Sequence, residues 1–275
     1  MTTNTPHDRM TSHTWSNTIA HTNTTLFDQF SNAVRSFTGD VHAPSLRMHS
    51  EGRLSVSYAP FEWVNREAKL IIVGITPGAL QAANALLEAK RHLSTGASDT
   101  EAIQAAKLTG AFSGPMRKNL LAMLDKVGLP KWIGVTSAAE LFEKRADLIQ
   151  TASVIQYPTF VDGKKNYNGT PDLRRSPLLR GLVKDYFVPM IASLPAARIL
   201  ALGDVPWNTL QWLADEGLID RSRVLGFTPH PSPANNERIS CFLETMRLDA
   251  LPSKKTDAVK LLQMRQRLEA ALQCA

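Results

Sequence analysis

Phe27, Phe30, Val34 and Phe37 recur at helical spacing and Gly39 follows as a stop, so the pattern predicts one amphipathic helix. Residues 40–53 show no period and read as irregular. Leu54, Val56 and Tyr58 then alternate with polar neighbours, the mark of a half-buried or edge strand. Leu70-Ile71-Ile72-Val73 is a continuous apolar run ended by Gly74, which predicts a strand buried on both faces. A helix is expected over about 79–91 and a looser one near 99–107. Pro115 opens another, with Leu120, Leu121, Leu124 and Val127 inside and Gly128 and Pro130 beyond its end. Val154-Ile155 centres a second strand, a helix covers roughly 177–193, and Ile199–Leu202 forms a third strand before Gly203. A helix then runs to Gly217, and Val224–Phe227 is the fourth strand.

Strands separated by helices at this spacing predict an α/β fold, doubly wound, with a central four-stranded parallel sheet and helices on both faces. The expected boundaries are a flexible polar leader over 1–25, a single α/β domain over 26–250 and a C-terminal helix over 251–275. That last helix carries Leu261, Met264, Leu268 and Leu272 on one face, which packs on the body.

Composition narrows the function classes. The chain has 275 residues, 43% hydrophobic and 20% charged, enough to bury a core without staples. Its two cysteines, Cys241 and Cys274, form no CxxC pair, which excludes a disulfide framework, a zinc ribbon and a four-cysteine iron–sulfur cluster. His7, His13 and His21 are irregularly spaced in the polar leader and read as disorder rather than metal ligands. No metal or other cofactor is expected. The leader has no apolar h-region, and no run approaches the roughly 18 apolar residues of a membrane span, so a cytoplasmic protein without a membrane partner is expected. Lys plus Arg outnumber Asp plus Glu by 31 to 25, and the net charge of +6 leans toward a polyanionic partner.

In open α/β sheets ligands bind at the carboxyl ends of the strands. Gly74-Ile75-Thr76-Pro77-Gly78 follows the first strand, Gly203-Asp204 the third, and Thr228-Pro229-His230-Pro231-Ser232-Pro233 the fourth. Loops stiffened by glycine and proline hold catalytic groups without reorganisation as charge develops. The first and last loops resemble the two signature motifs of the uracil-DNA glycosylase superfamily, G-x-[DNA]-P-[YGA] and H-P-S-P. Tyr58-Ala59-Pro60 upstream, an aromatic at Phe112 before the helix at Pro115, and Leu200-Ala201-Leu202-Gly203 agree with that resemblance, which spans roughly residues 58–240.

The resemblance implies a divergent DNA glycosylase, a monofunctional hydrolase that turns a nucleotide out of double-stranded DNA and leaves an abasic site. His230 would donate a hydrogen bond to the departing base, and Thr76 would orient the attacking water. Gly74, Ile75, Pro77, Gly78, Phe112, Ala152 and Ser153 would shape the base pocket, with Phe112 stacking on the base. Ser113, Lys118, Ser232, Pro233, Asn235, Asn236 and Arg238 would grip DNA. A monomer is expected.

The sequence also departs from the family. Thr76 stands where the family usually has Asp or Asn. Gly78 stands where uracil-specific members have Tyr, which leaves room, and Ala152 or Ser153 falls where the uracil-reading Asn is expected. An insertion over roughly 80–108 lies beside the pocket. Small residues and extra chain suggest a bulky 5-substituted cytosine, the leading candidate being glucosylated hydroxymethylcytosine of phage DNA, removed in antiviral defence. Excision of uracil or another damaged base in host repair, and a non-catalytic DNA-binding module on the same fold, stay open. A nucleotide-binding phosphate cradle lacks the Walker lysine and the G-x-G-x-x-G pattern, and a Ser or Cys hydrolase lacks its elbow motif. Lys164, Lys165, Arg174, Arg175, Arg180 and Lys184 surround a single acid, Asp172, and with Arg117 and Lys118 form the expected basic face.

Overall fold

The computed structural model describes residues 25–246, 253 and 255–274. The polar leader over 1–24 lies outside the described residues. The chain runs through α1 (Leu26–Arg35), β1 (Arg47–Glu51), β2 (Leu54–Ser57), β3 (Leu70–Gly74), α2 (Ala79–Ser94) and α3 (Asp99–Gly110). It continues through α4 (Pro115–Lys126), α5 (Leu129–Ile133), β4 (Ile149–Ser153), β5 (Thr159–Val161) and β6 (Lys165–Asn166). Then come α6 (Pro177–Leu182), α7 (Val188–Ala192), β7 (Arg198–Leu202), α8 (Asp204–Asp215), β8 (Val224–Thr228), α9 (Asn236–Leu243) and α10 (Ala258–Cys274). A π-helical turn, Val183–Phe187, joins α6 to α7, so the single helix expected over 177–193 is three pieces in line.

Four parallel strands form the central sheet in the order β4-β3-β7-β8. The chain enters at β3, adds β4 on one side, then crosses back to add β7 and β8 on the other. Strand order therefore reverses between β3 and β7, which opens a crevice at their carboxyl ends. Every residue of β3 is buried, and its side chains divide between two cores. Ile71 and Val73 join Ala152, Ile199 and Ala201 beneath α1, α2, α3, α6 and α8. Leu70 and Ile72 join Leu200 and Leu202 beneath α4, α5, α9 and α10. Burial of each such aliphatic side chain contributes about 1.5–3 kcal/mol. Leu261, Met264, Leu268 and Leu272 of α10 are all buried in the second core.

Two strand expectations are corrected. The second parallel strand is Ile149–Ser153, not a segment centred on Val154-Ile155; the latter pair follows it, its amides donating to the carbonyls of Gly74 and Ile75. The strand was hidden by Gln150, which is buried and fully bonded. Its Oε1 accepts from the Asn65 amide at 2.8 Å, and its Nε2 donates to the carbonyls of Trp63 and Thr151. Residues 40–53 are not wholly irregular, because β1 opens a second, antiparallel sheet of order β1-β2-β5-β6. Within it β2 is an interior strand with all four residues buried, Ser55 and Ser57 included, rather than a half-buried or edge strand.

The stretch over 80–108 is an antiparallel helix pair, α2 against α3. A capping box closes the start of α3: the Glu101 amide donates to Ser98 Oγ, and the Ser98 amide donates to Glu101 Oε2. At its other end Gly110 lets α3 press on α2, since a Cβ there would lie 3.0 Å from both the Gln81 carbonyl and the Phe61 ring. This pair forms one wall of the crevice. Among the described residues no helix is long and apolar enough to cross a membrane.

Candidate active site

The crevice is a cavity of about 520 Å³ in which the loops after β3, β7 and β8 meet. Gly74, Ile75, Thr76, Pro77, Gly78, Phe112, Ala152, Ser153, His230, Ser232 and Asn235 all line it. Ala152 and Ser153 reach it because β4 ends at Ser153, paired in register with Gly74. Ser113, Lys118, Pro233, Asn236 and Arg238 do not line it.

The His230 loop is held by three hydrogen bonds. The Ser232 amide donates to Nδ1 of His230 at 3.3 Å, Asn235 Nδ2 donates to the His230 carbonyl at 3.2 Å, and Asn119 Nδ2 donates to the Pro231 carbonyl at 3.0 Å. Burial lowers the imidazole pKa below its ordinary value, so the ring is neutral near pH 7. With Nδ1 accepting a backbone hydrogen, the ring proton sits on Nε2. The neighbouring Gly203 has φ +95°, and a Cβ on it would lie 3.1 Å from the Cβ of His230. Glycine is thus required there twice, for backbone angle and for space.

Thr76 is engaged within the chain. Its hydroxyl donates to the Tyr157 carbonyl at 2.8 Å and accepts from the Thr159 amide at 3.2 Å. The side chain ties the loop to the start of β5; its one proton is committed, and one lone pair of its oxygen is left to accept from a water. Among the described residues Asp204 is the one carboxylate that lines the cavity. It begins α8 and is paired with Arg238 at 3.2 Å, which fastens α9 to α8.

Phe112 sits at φ +48°, a left-handed conformation that costs a bulky residue about 1–3 kcal/mol. The surrounding turn holds it there: Arg117 Nη2 donates to the Ala111 carbonyl at 2.7 Å, and the Phe112 ring packs within reach of Gly74. Arg117 is therefore a brace for this turn, its guanidinium also lying over the Phe142 ring, and not a free phosphate ligand.

The space expected above Gly78 is filled. A Cβ there would lie 3.2 Å from Nδ2 of Asn166, which reaches in from β6. Asn166, Gln81 and Lys107 also line the cavity and were not legible in the sequence, because a two-residue strand and two helix faces bring them in from outside the motifs. Lys107 is buried, and desolvation pulls its amine down to about 8, against a smaller opposing effect of Glu62. A lysine in the last turn of a helix ordinarily signals only a complement to the helix dipole, so no sequence cue marked this one.

The outer residues have mixed surroundings. Lys118 is exposed on α4. Ser113 Oγ accepts from Asn84, Asn236 Oδ1 accepts from Asn119, and Ser232 Oγ accepts from the Ala234 amide to cap the short turn that Pro233 begins. The basic run has more acidic partners than the sequence suggested. Lys165 lies 3.9 Å from Asp162, Arg174 pairs with Asp172, and Lys184 pairs with Glu216. Among the described residues Lys164, Arg175 and Arg180 are exposed without an ion pair.

No family model matches the chain. Its relatives include YoxB of Bacillus subtilis (strain 168), described as an uncharacterized protein, to which it is 35% identical over 206 residues. That match covers 74% of this chain and 80% of YoxB, and it extends well beyond the loops of the cavity. A likeness of this depth and length makes the chain a member of the YoxB family.

Proposed function

We propose that the protein is a DNA glycosylase of the uracil-DNA glycosylase type, which turns a modified pyrimidine out of duplex DNA and hydrolyses its N-glycosidic bond. The observation that carries this reading is His230: a half-buried, neutral imidazole with its proton on Nε2, fixed on a proline-bounded loop at the switch point of the sheet. Breaking the bond leaves negative charge on the base and positive charge on the sugar. A preorganised Nε2–H donor at the developing oxyanion contributes about 3–4 kcal/mol in the transition state. Phe112 offers the base an aromatic surface, and Asp204, a carboxylate on the same cavity as Thr76, is suited to orient water or face the sugar's positive charge. Water supplies hydroxide to C1′ and a proton to the departing base, and an abasic site results.

The backbone of the flipped nucleotide would lie against Ser232 and Lys118, with the unpaired basic residues farther out. A cavity of 520 Å³ is in the range of sites for whole small molecules and exceeds what a bare pyrimidine needs. The size favours a bulky 5-substituted cytosine, with glucosylated hydroxymethylcytosine of phage DNA as the leading candidate and antiviral defence as the role. Mass spectrometry of bases released from a panel of modified DNAs tests this. Release of a 5-substituted cytosine supports it, and release of uracil alone would assign the enzyme to repair. The engaged hydroxyl of Thr76 favours a second reading, a DNA-binding module without chemistry, and absence of alkali-labile sites on every DNA tested would establish it.

A further inference from the structure

The wall built by α2, α3 and β6 has no part in the reaction above, yet three of its side chains present hydrogen-bond donors. The Gly78 amide donates to Oε1 of Gln81 at 2.9 Å, and the Ala79 amide donates to Oδ1 of Asn166 at 3.0 Å. A backbone N–H can only donate, so these two bonds fix which end of each side-chain amide is oxygen. The amino ends are left over, and no described residue accepts from Gln81 Nε2 or Asn166 Nδ2. Lys107 Nζ makes one hydrogen bond, to the Phe61 carbonyl at 3.0 Å, although an ammonium carries three N–H groups.

All three side chains line the cavity, and Lys107 and Gln81 are otherwise enclosed, at 6% and 8% exposure, so the N–H groups they do not spend within the chain are presented to its interior. Glu62 does not take them: Oε1 accepts from the Tyr58 hydroxyl at 2.6 Å, while Oε2 is buried without a partner and acts on Lys107 through charge alone. Donors fixed in direction on one cavity wall are the complement of a ligand that carries acceptors.

We infer that Gln81, Lys107 and Asn166 form a subsite for the oxygen acceptors of a substituent carried on the extruded base, either a polyhydroxylated group or a carboxylate. The inference rests on the glycosylase reading for its substrate, since the loops of His230, Gly74 and Phe112 take the ring and this wall receives what the ring carries. Two neutral amides beside one cation suit hydroxyl oxygens better than a full anion.

The test uses the full chain and four duplexes differing at one cytosine: unmodified, hydroxymethylated, glucosylated and 5-carboxylated. Binding is read by fluorescence anisotropy and base release by mass spectrometry. The wild type should bind an oxygen-rich duplex at least roughly tenfold more tightly than the unmodified one, and the glucosylated and carboxylated arms identify which oxygens are taken. Lys107→Met and Asn166→Ala should each lose roughly 10- to 100-fold on that duplex and little on the unmodified one. Asn166 is exposed, so its variant folds even if burial at Lys107 proves unforgiving. Equal binding of all four duplexes by the wild type, or equal losses on all four in Asn166→Ala, would overturn the subsite. A preserved preference without release of any base sinks the glycosylase reading instead, and release without preference sinks the subsite alone.

Discussion

The two sides of the cavity are built on opposite terms. On the strand-loop side the backbone does the shaping: Gly74, Gly203 and the prolines around His230 set positions, and the Nδ1 and carbonyl of His230 are bonded within the chain. On the helical side, long side chains of α2, α3 and β6 reach in and their donors are left unpaired. The first arrangement is rigid and suits a reacting centre, where groups must not reorganise. The second presents donors that the chain does not use and suits recognition, where a ligand supplies acceptors. Disturbing the first side should damage rate or fold, and disturbing the second should change only which ligand is accepted.

The largest effect is expected at the centre of the rigid side. His230→Ala should reduce base release by roughly 100- to 1,000-fold in single-turnover assays while DNA affinity changes little. A comparable fall in affinity would make His230 a binding residue and erase the contrast. Next comes its support: Gly203→Ala places a Cβ against His230 on a backbone at φ +95°, so urea denaturation should show a loss of about 1–3 kcal/mol. An unchanged midpoint would mean that the loop is not rigid.

The helical side predicts the reverse. Lys107→Met should leave stability within about 1 kcal/mol of wild type or raise it, because a buried cation with one hydrogen bond gives the native state little. The sign of its pH dependence follows from the depressed amine. Lys107 loses its proton near pH 8 in the native state and near 10.4 when unfolded, so in that window unfolding takes up a proton. Stability carried by this group therefore rises with pH from about 8 to 10.4, and the variant should flatten that rise in thermal melts at stepped pH. Persistence of the full slope would show that another group titrates there. His230 acts at the other end of the scale: held neutral by burial, it contributes stability that is lost as pH falls through its unfolded value near 6.5. The smallest effect belongs outside the cavity. Lys118→Ala should weaken binding equally for every duplex and lower the salt slope by about one, and any base preference in that loss would move Lys118 into the recognition side.

What could be read in the sequence follows the same division. β3, β7 and β8 are continuous apolar runs ending at glycine or proline loops, and local signals of that kind fix both the strands and the motif residues at their ends. β4 escaped because its burial rests on Gln150, a polar residue two of whose three hydrogen bonds are to Asn65 and Trp63, distant in the chain. β1 escaped because an exposed edge strand of polar residues has no apolar period. Gly78 read as open space because glycine shows only that its own side chain is missing; Asn166, 88 positions later, fills it. The hydroxyl of Thr76 is visible in sequence, but its bonds to Tyr157 and Thr159 are not, because the loop that carries them lies about 80 positions away. The donors of Gln81 and Lys107 have no local signature at all, since what distinguishes them is the absence of a partner in three dimensions.

In the proposed division of labour, the rigid side performs chemistry on a base that the helical side selects. Mass spectrometry of bases released from DNA containing glucosylated hydroxymethylcytosine, by wild type and His230→Ala side by side, tests it most directly. The wild type should release the intact glucosylated base and leave an alkali-labile site in the DNA, and release should fall at least roughly 100-fold in the variant. Equal release by both proteins, or none from this DNA by the wild type while uracil is released, would contradict it.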